Sequence, residues 1–190
     1  MPAKKRDHLV TVAQRMFRSA GFHAVSVDAI IEQADVARMT LYKNFKSKED
    51  LIVAALEQED RQFRQWLAAS VEARSARPED RIFQTFMALH ERFASAGYYG
   101  CAFIRASIEF PDPHHPIHRA AKAHKQMIRT YLHGLAADAG AGNPVALAEQ
   151  LYVLFEGAIT ASQLHGEPWP AANAGQAARS LVAAACEARP

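Results

Sequence analysis

The chain has 190 residues, of which 49% are apolar, and a formal net charge of only +2 from 22 Lys and Arg against 20 Asp and Glu. That is enough apolar side chain for a sizeable core and too little net charge for a disordered polyelectrolyte. Its two cysteines, Cys101 and Cys186, exclude a disulfide scaffold and a Cys-x-x-Cys metal site, and no apolar run approaches the length of a membrane span.

The opening MPAKKRDHLVTVAQ is basic but lacks the apolar stretch of a secretory leader, which predicts a soluble, unexported, cytoplasmic protein. Leu9, Val12, Ala13, Met16, Phe17 and Ala20 recur at helical spacing and predict a first helix over about 3–20, stopped by Gly21. Ser26 can cap a short second helix carrying Val27, Ile30, Ile31 and Ala34, with Asp28 in its first turn. After the turn at Ala34-Asp35-Val36-Ala37, a third helix buries Leu41 and Phe45. Ser47 and Asp50 form an S-x-x-D start for a long fourth helix through Leu51, Phe63 and Leu67. Beyond Pro78 the pattern stays helical. Ile82 to Phe93 is one helix ending near Gly97 and Gly100, and Cys101 to Phe110 is a short buried one. Pro116 to Asp138, 145–165 and about 171–187 supply three more. No window alternates with period two, so the fold class is all-α with about nine helices.

Charge is unevenly spread. Residues 1–48 hold nine basic and four acidic side chains, a net +5, and the rest of the chain carries −3. A basic head on a mildly acidic body suits a module that binds a polyanion. The two short helices and tight turn near residues 26–45 have the form of a helix-turn-helix, whose second helix enters the major groove. On that helix Arg38 has a fork suited to guanine O6 and N7, Thr40 reaches a base edge or a phosphate, and Met39 offers contact to a thymine methyl. Tyr42, Lys43, Lys46 and Lys48 are expected on phosphates, with Ser26 at the start of the preceding helix. Lys4, Lys5 and Arg6 are expected to form a mobile arm near the backbone or minor groove.

The run FRSAGFHAVSVDAIIEQADVARMTLYKNFKSKEDLIVAAL resembles the DNA-binding domain of tetracycline-repressor-like (TetR/AcrR) transcriptional regulators. Ala34, Val36, Thr40, Leu41, Tyr42, Phe45, Ser47, Lys48, Glu49 and Leu51 stand in register with the family signature. The resemblance implies a helix-turn-helix domain over 1–48 and a helical ligand-binding and dimerisation domain over 49–190. Its expected function is that of a homodimeric repressor released from a palindromic operator by a small hydrophobic or amphipathic ligand. Three positions depart from the signature: Asp35 stands for the turn glycine, Ala37 for a capping serine, and Asn44 for a histidine. Ala37 should cost the third helix about 1 kcal/mol.

A single helix-turn-helix reads few bases, so two copies on a two-fold axis are expected. The last two helices, with Leu147, Leu151, Leu154, Phe155, Ala158, Ala161, Ser162, Leu181, Val182 and Ala185, are the candidate seam. Candidate ligand contacts are Phe86, Met87, His90, Phe103, Arg105, Ile108, His124, Met127, Ile128, Tyr131, Phe155, Ile159 and Gln163, an apolar set with a few polar groups. The cluster His114, His115, His118 lies in a proline-flanked loop without a matching carboxylate or cysteine, so no metal is expected and no cofactor. Cys101, among Ala102, Phe103 and Ile104, is expected to be an inert buried thiol. Two alternatives remain: an α-helical enzyme pairing Cys101 with a histidine, which no catalytic motif supports, and a regulator without an inducer or acting as an activator.

Overall fold

The computed structural model describes residues 2–95 and 97–187, with the backbone alone for Pro2 and Ala3. Among the described residues there are nine helices and no strand: α1 (Pro2–Ala20), α2 (Val27–Gln33), α3 (Arg38–Asn44), α4 (Lys48–Glu72), α5 (Pro78–Ala94), α6 (Ala102–Glu109), α7 (Pro116–Asp138), α8 (Pro144–His165) and α9 (Trp169–Glu187). They form two compact units. One takes residues up to Gln62 with Ala102–His124, and the other takes Phe63–Cys101 with the residues from Lys125 onward.

Local chemistry sets most boundaries. Ser26 accepts the Ala29 N–H at 3.1 Å and caps α2. Ser47 accepts the Asp50 N–H at 3.1 Å, while the Asp50 carboxylate reaches back to the Lys46 N–H at 3.1 Å, one residue earlier than in a strict capping box. Asn143 caps α8 through the Ala146 N–H, and Gly166 ends that helix at φ 69°. Asp35 takes φ 49°, a left-handed turn conformation that glycine adopts freely and that Asp adopts more readily than most other residues. One boundary differs from expectation. α9 starts at Trp169 inside the GEPWP segment, because a proline in a first helical turn withholds an N–H that has no intrahelical acceptor there. α1 begins at Pro2, close to its expected start, so Lys4, Lys5 and Arg6 are helical and not part of an arm.

In the first unit Leu9, Ile30, Leu41, Leu51 and Ile117 are fully buried, with the Phe17 and Phe22 rings 5.4 Å apart among them. Gln14 donates to the buried Glu59 carboxylate and ties α1 to α4. In the second unit Ile82, Phe86, Leu89, Ile128, Leu132, Leu151 and Phe155 make the core. Phe155 takes Phe86 and Phe63 edge-on, each at 6.5 Å. α9 packs closely on α5 at Gly175, where a Cβ would lie 3.1 Å from Phe86 Cβ, so a larger residue would push the helices apart.

Candidate nucleic-acid interface

The helix-turn-helix is held from beneath and open above. Ile30 of α2, Leu41 of α3 and Phe45 are buried, while Arg38, Met39, Tyr42 and Lys43 are exposed on the outer side of α3. Thr40 is half-buried at the edge of that surface. Met39 is 66% exposed. Arg38 Nη2 donates to Asp28 Oδ1 of α2. Asn44 Nδ2 donates to the Thr40 carbonyl at 2.7 Å, inside its own helix. Ala37 makes no side-chain cap at the start of α3, as its sequence implies.

The basic residues divide between free and engaged. Lys5, Lys43 and Lys46 are exposed, and the Arg6 guanidinium lies over the Phe45 ring at 5.1 Å. Lys48 is half-buried and donates to the His23 carbonyl at 3.3 Å. Burial lowers its pKa and the nearby Glu109 carboxylate opposes that shift.

Two α6 residues, neither assigned to DNA binding by the sequence, hold this head. The Glu109 carboxylate accepts the N–H groups of Phe22, at 3.0 Å, and of His23, at 2.8 Å. Gly21, at φ 89°, passes so close that a Cβ there would lie 2.9 Å from Glu109 Oε1. Arg105 Nη1 donates to the carbonyls of Phe17, at 3.4 Å, and Arg18, at 3.1 Å, at the end of α1. Arg105, a ligand candidate in the sequence, is thus engaged at the α1 terminus. Both residues lie more than 85 positions from their partners. No periodicity marks them, because an α6 side chain that faces a distant turn looks like any polar residue on a helix surface.

Of the ligand candidates, Phe103, Arg105, Ile108 and His124 belong to the first unit and the others to the second. Ile108 is 72% exposed, against its expected place in an apolar lining, because it lies on the outer side of α6. Met127 is also exposed. Phe103 stacks on His124 with centroids 3.6 Å apart, and His124 Nδ1 meets Asp60 Oδ1 at 2.8 Å. In the second unit Phe86, Ile128, Phe155 and Ile159 are buried, with Met87 and Tyr131 half-buried. His90 Nδ1 is 2.9 Å from the Pro168 carbonyl, and burial raises the Tyr131 pKa. Gln163 accepts the Cys101 N–H at 3.4 Å.

Cys101 is half-exposed, not buried as expected, because it precedes α6 and lies outside any helix. Lys125 donates to its sulfur at 3.6 Å and to Glu156 at 2.6 and 2.8 Å. Burial works against the Lys125 ammonium, but the Cys101 sulfur and the Glu156 carboxylate outweigh it and raise its pKa. Of the histidine cluster, His118 bonds the Phe110 carbonyl and His115 lies 3.7 Å from Glu49. Among the described residues no group of three or more His, Cys, Asp or Glu is placed to hold a metal ion, and no helix is long and apolar enough to cross a membrane.

Residues 9–55, which span this head, match the profile of "Bacterial regulatory proteins, tetR family", and residues 78–178 match that of "Tetracyclin repressor-like, C-terminal domain". The chain belongs to the tetR family. It is a DNA-binding transcriptional regulator of that family. The crystal structure of SCO4454, a TetR-family transcriptional regulator from Streptomyces coelicolor, superposes with a TM-score of 0.89 at 33% identity, over 98% of this chain and 92% of that one. The HTH-type transcriptional regulator YjdC of Escherichia coli (strain K12) is 24% identical over 156 residues, 82% of either chain. The HTH-type transcriptional repressor NemR of the same strain is 24% identical over 187 residues, 94% of either chain. These relatives are named as regulators of transcription, and the Cys/His enzyme alternative finds no support in them.

Proposed function

We propose that this TetR-family regulator is a homodimeric repressor that binds a palindromic operator and leaves it when a small hydrophobic or amphipathic ligand enters the helical domain. In this reading residues 1–48 bind DNA and 49–190 bind the ligand and the second copy. The observation that carries it is the exposed face of α3, where Arg38, Met39, Tyr42 and Lys43 stand clear of a buried Leu41. Arg38, Met39 and Thr40 read bases; Tyr42, Lys43, Lys46, Lys48, Ser26, Lys5 and Arg6 contact phosphates. NemR, similar over nearly its whole length, is named a repressor, which supports that sense of regulation.

Dimerisation uses the outer side of α8. Val145, Val153 and Leu164 are exposed by 56%, 69% and 80%, and the intervening Gly157 has nothing within 4 Å of a Cβ position. Separated by sums of three- and four-residue steps, they make an apolar stripe that a monomer would leave in water. The seam residues read from the sequence divide. Leu147, Leu151, Phe155, Ala158, Ser162 and Val182 face the chain's own core, and the stripe just described replaces them. Release works through α6. Because Arg105 and Glu109 hold the end of α1 and the turn before α2, a ligand that shifts α6 re-aims α3. The ligand must bind the shifted state more tightly than the DNA-bound one.

Selection of bound duplexes from a random pool tests the reading. The expected product is a palindrome with half-sites about one helical turn apart, bound by a protein that light scattering shows to be a dimer. A monomer, or duplexes without two-fold symmetry, would refute it. Lys48→Ala should weaken binding to all duplexes alike and reduce the salt slope by about one.

A further inference from the structure

Asp28 is an acid where a DNA-binding surface should have none. It is 68% exposed on α2, in a segment whose basic residues outnumber its acidic ones by nine to four. The structural duties open to it are already met or weak. Ser26, not Asp28, caps α2. A carboxylate in the first turn gains a little from the helix dipole, but so would one on the side of α2 away from α3. An exposed ion pair adds little to stability, and a carboxylate beside DNA repels the phosphates.

Its side-chain partner is specific. Arg38, ten residues on and first in α3, donates through Nη2 to Asp28 Oδ1. A guanidinium has five N–H donors, and the other four of Arg38 have no partner among the described residues. Arg38 itself is 60% exposed, so those donors face solvent. Bidentate donation to guanine O6 and N7 needs two parallel N–H groups held in the plane of the base. An arginine left alone at the start of a helix samples many rotamers and loses that freedom only on binding. A carboxylate on one edge of the guanidinium fixes its plane beforehand.

We propose that Asp28 is a positioning residue for base recognition: it orients the Arg38 guanidinium toward guanine and gives up general affinity for DNA in exchange for discrimination at that base pair. The inference rests on the reading of α3 as the base-contacting helix. It goes beyond that reading by assigning specificity to a residue of α2 that is not itself placed on a base.

The test uses full-length protein and duplexes selected from a random pool by the unsubstituted chain. Affinities for the selected duplex and all its single-pair variants are measured for that chain, Asp28→Asn, Asp28→Ala and Arg38→Ala. At the pair that Arg38 reads, the unsubstituted chain should discriminate by about 5- to 150-fold. Arg38→Ala should abolish this preference. Asp28→Ala should reduce it several-fold at the same pair and nowhere else, while affinity for unselected duplex rises. Asp28→Asn keeps an acceptor without the charge and should fall between. A merely structural role would lower affinity for every duplex together and shift the thermal midpoint. If Arg38→Ala flattens one position and both Asp28 variants leave it intact, Asp28 is an ordinary surface pair and the proposal fails. If Arg38→Ala changes no position, the base-reading role of Arg38 fails first and the proposal with it.

Discussion

In the unit that carries α2 and α3, polar side chains are turned on the main chain: Glu109 on two N–H groups, Arg105 on two carbonyls, His8 on the Ala34 carbonyl and Ser26 on the Ala29 N–H. In the unit built around α5, α8 and α9, aromatic rings pack edge-to-face and the principal polar tie joins two side chains, Lys125 and Glu156. Helix length explains the difference. α2 and α3 have seven residues each, too few to be stable alone, and they leave many terminal N–H and carbonyl groups for other elements to satisfy. α5, α8 and α9 run for 17 to 22 residues and need mainly apolar burial. A head held by main-chain bonds from α6 can be redirected by a modest shift of that helix, whereas a ring-packed core resists small shifts.

Breaking the side-chain tie should have the largest effect. Lys125→Met leaves Glu156 without its partner, at 21% side-chain exposure, and should destabilise the protein by about 3 kcal/mol in urea unfolding. Pairing it with Glu156→Leu should restore most of the loss, and failure to do so would mean that the pair is not the principal tie. The same variant has a pH signature. The pKa values of Lys125, Tyr131 and Tyr152 are all raised, so the folded state keeps these protons longer than the unfolded chain. Their contribution is fully present below about pH 10 and is lost as pH rises through the folded values. Lys48 has the opposite sign. Lys125→Met should therefore flatten the alkaline fall in the urea midpoint, and an unchanged slope would assign that fall to the tyrosines.

On the other side of the comparison, Glu109→Gln keeps the shape of the side chain but replaces a charged acceptor of two N–H groups by a neutral one. It should lower stability by about 2 kcal/mol and weaken operator binding more than it shifts the thermal midpoint. Equal loss in both would show that Glu109 stabilises without orienting α3. The smallest effect has the opposite sign. Ala37→Ser supplies the missing cap of α3 and should add about 1 kcal/mol, read as a higher urea midpoint.

Much of this protein was legible in its sequence because the relevant physics is local. The 3.6-residue spacing of Leu9, Val12, Ala13 and Phe17 specifies α1, Ser26 and Ser47 specify helix starts, and Leu41 and Phe45 fix which side of α3 is buried. At Lys4, Lys5 and Arg6 the local rules pointed two ways, since a basic run reads equally well as an arm or a helical turn, and the structure has it as the first turns of α1. Periodicity also marked α8 as apolar without saying which side meets its own chain, since its apolar residues surround the axis. Packing against the rest of the unit decided that Leu151 and Phe155 are inside and Val153 and Leu164 outside. The sequence by itself thus determined the helices, the family and the exposed face of α3. Only the tertiary structure decided that Arg105 and Glu109 hold the end of α1 and that Asp28 meets Arg38. Those contacts join side chains to groups brought near by folding, and hydrogen bonds between distant residues leave no period in the chain.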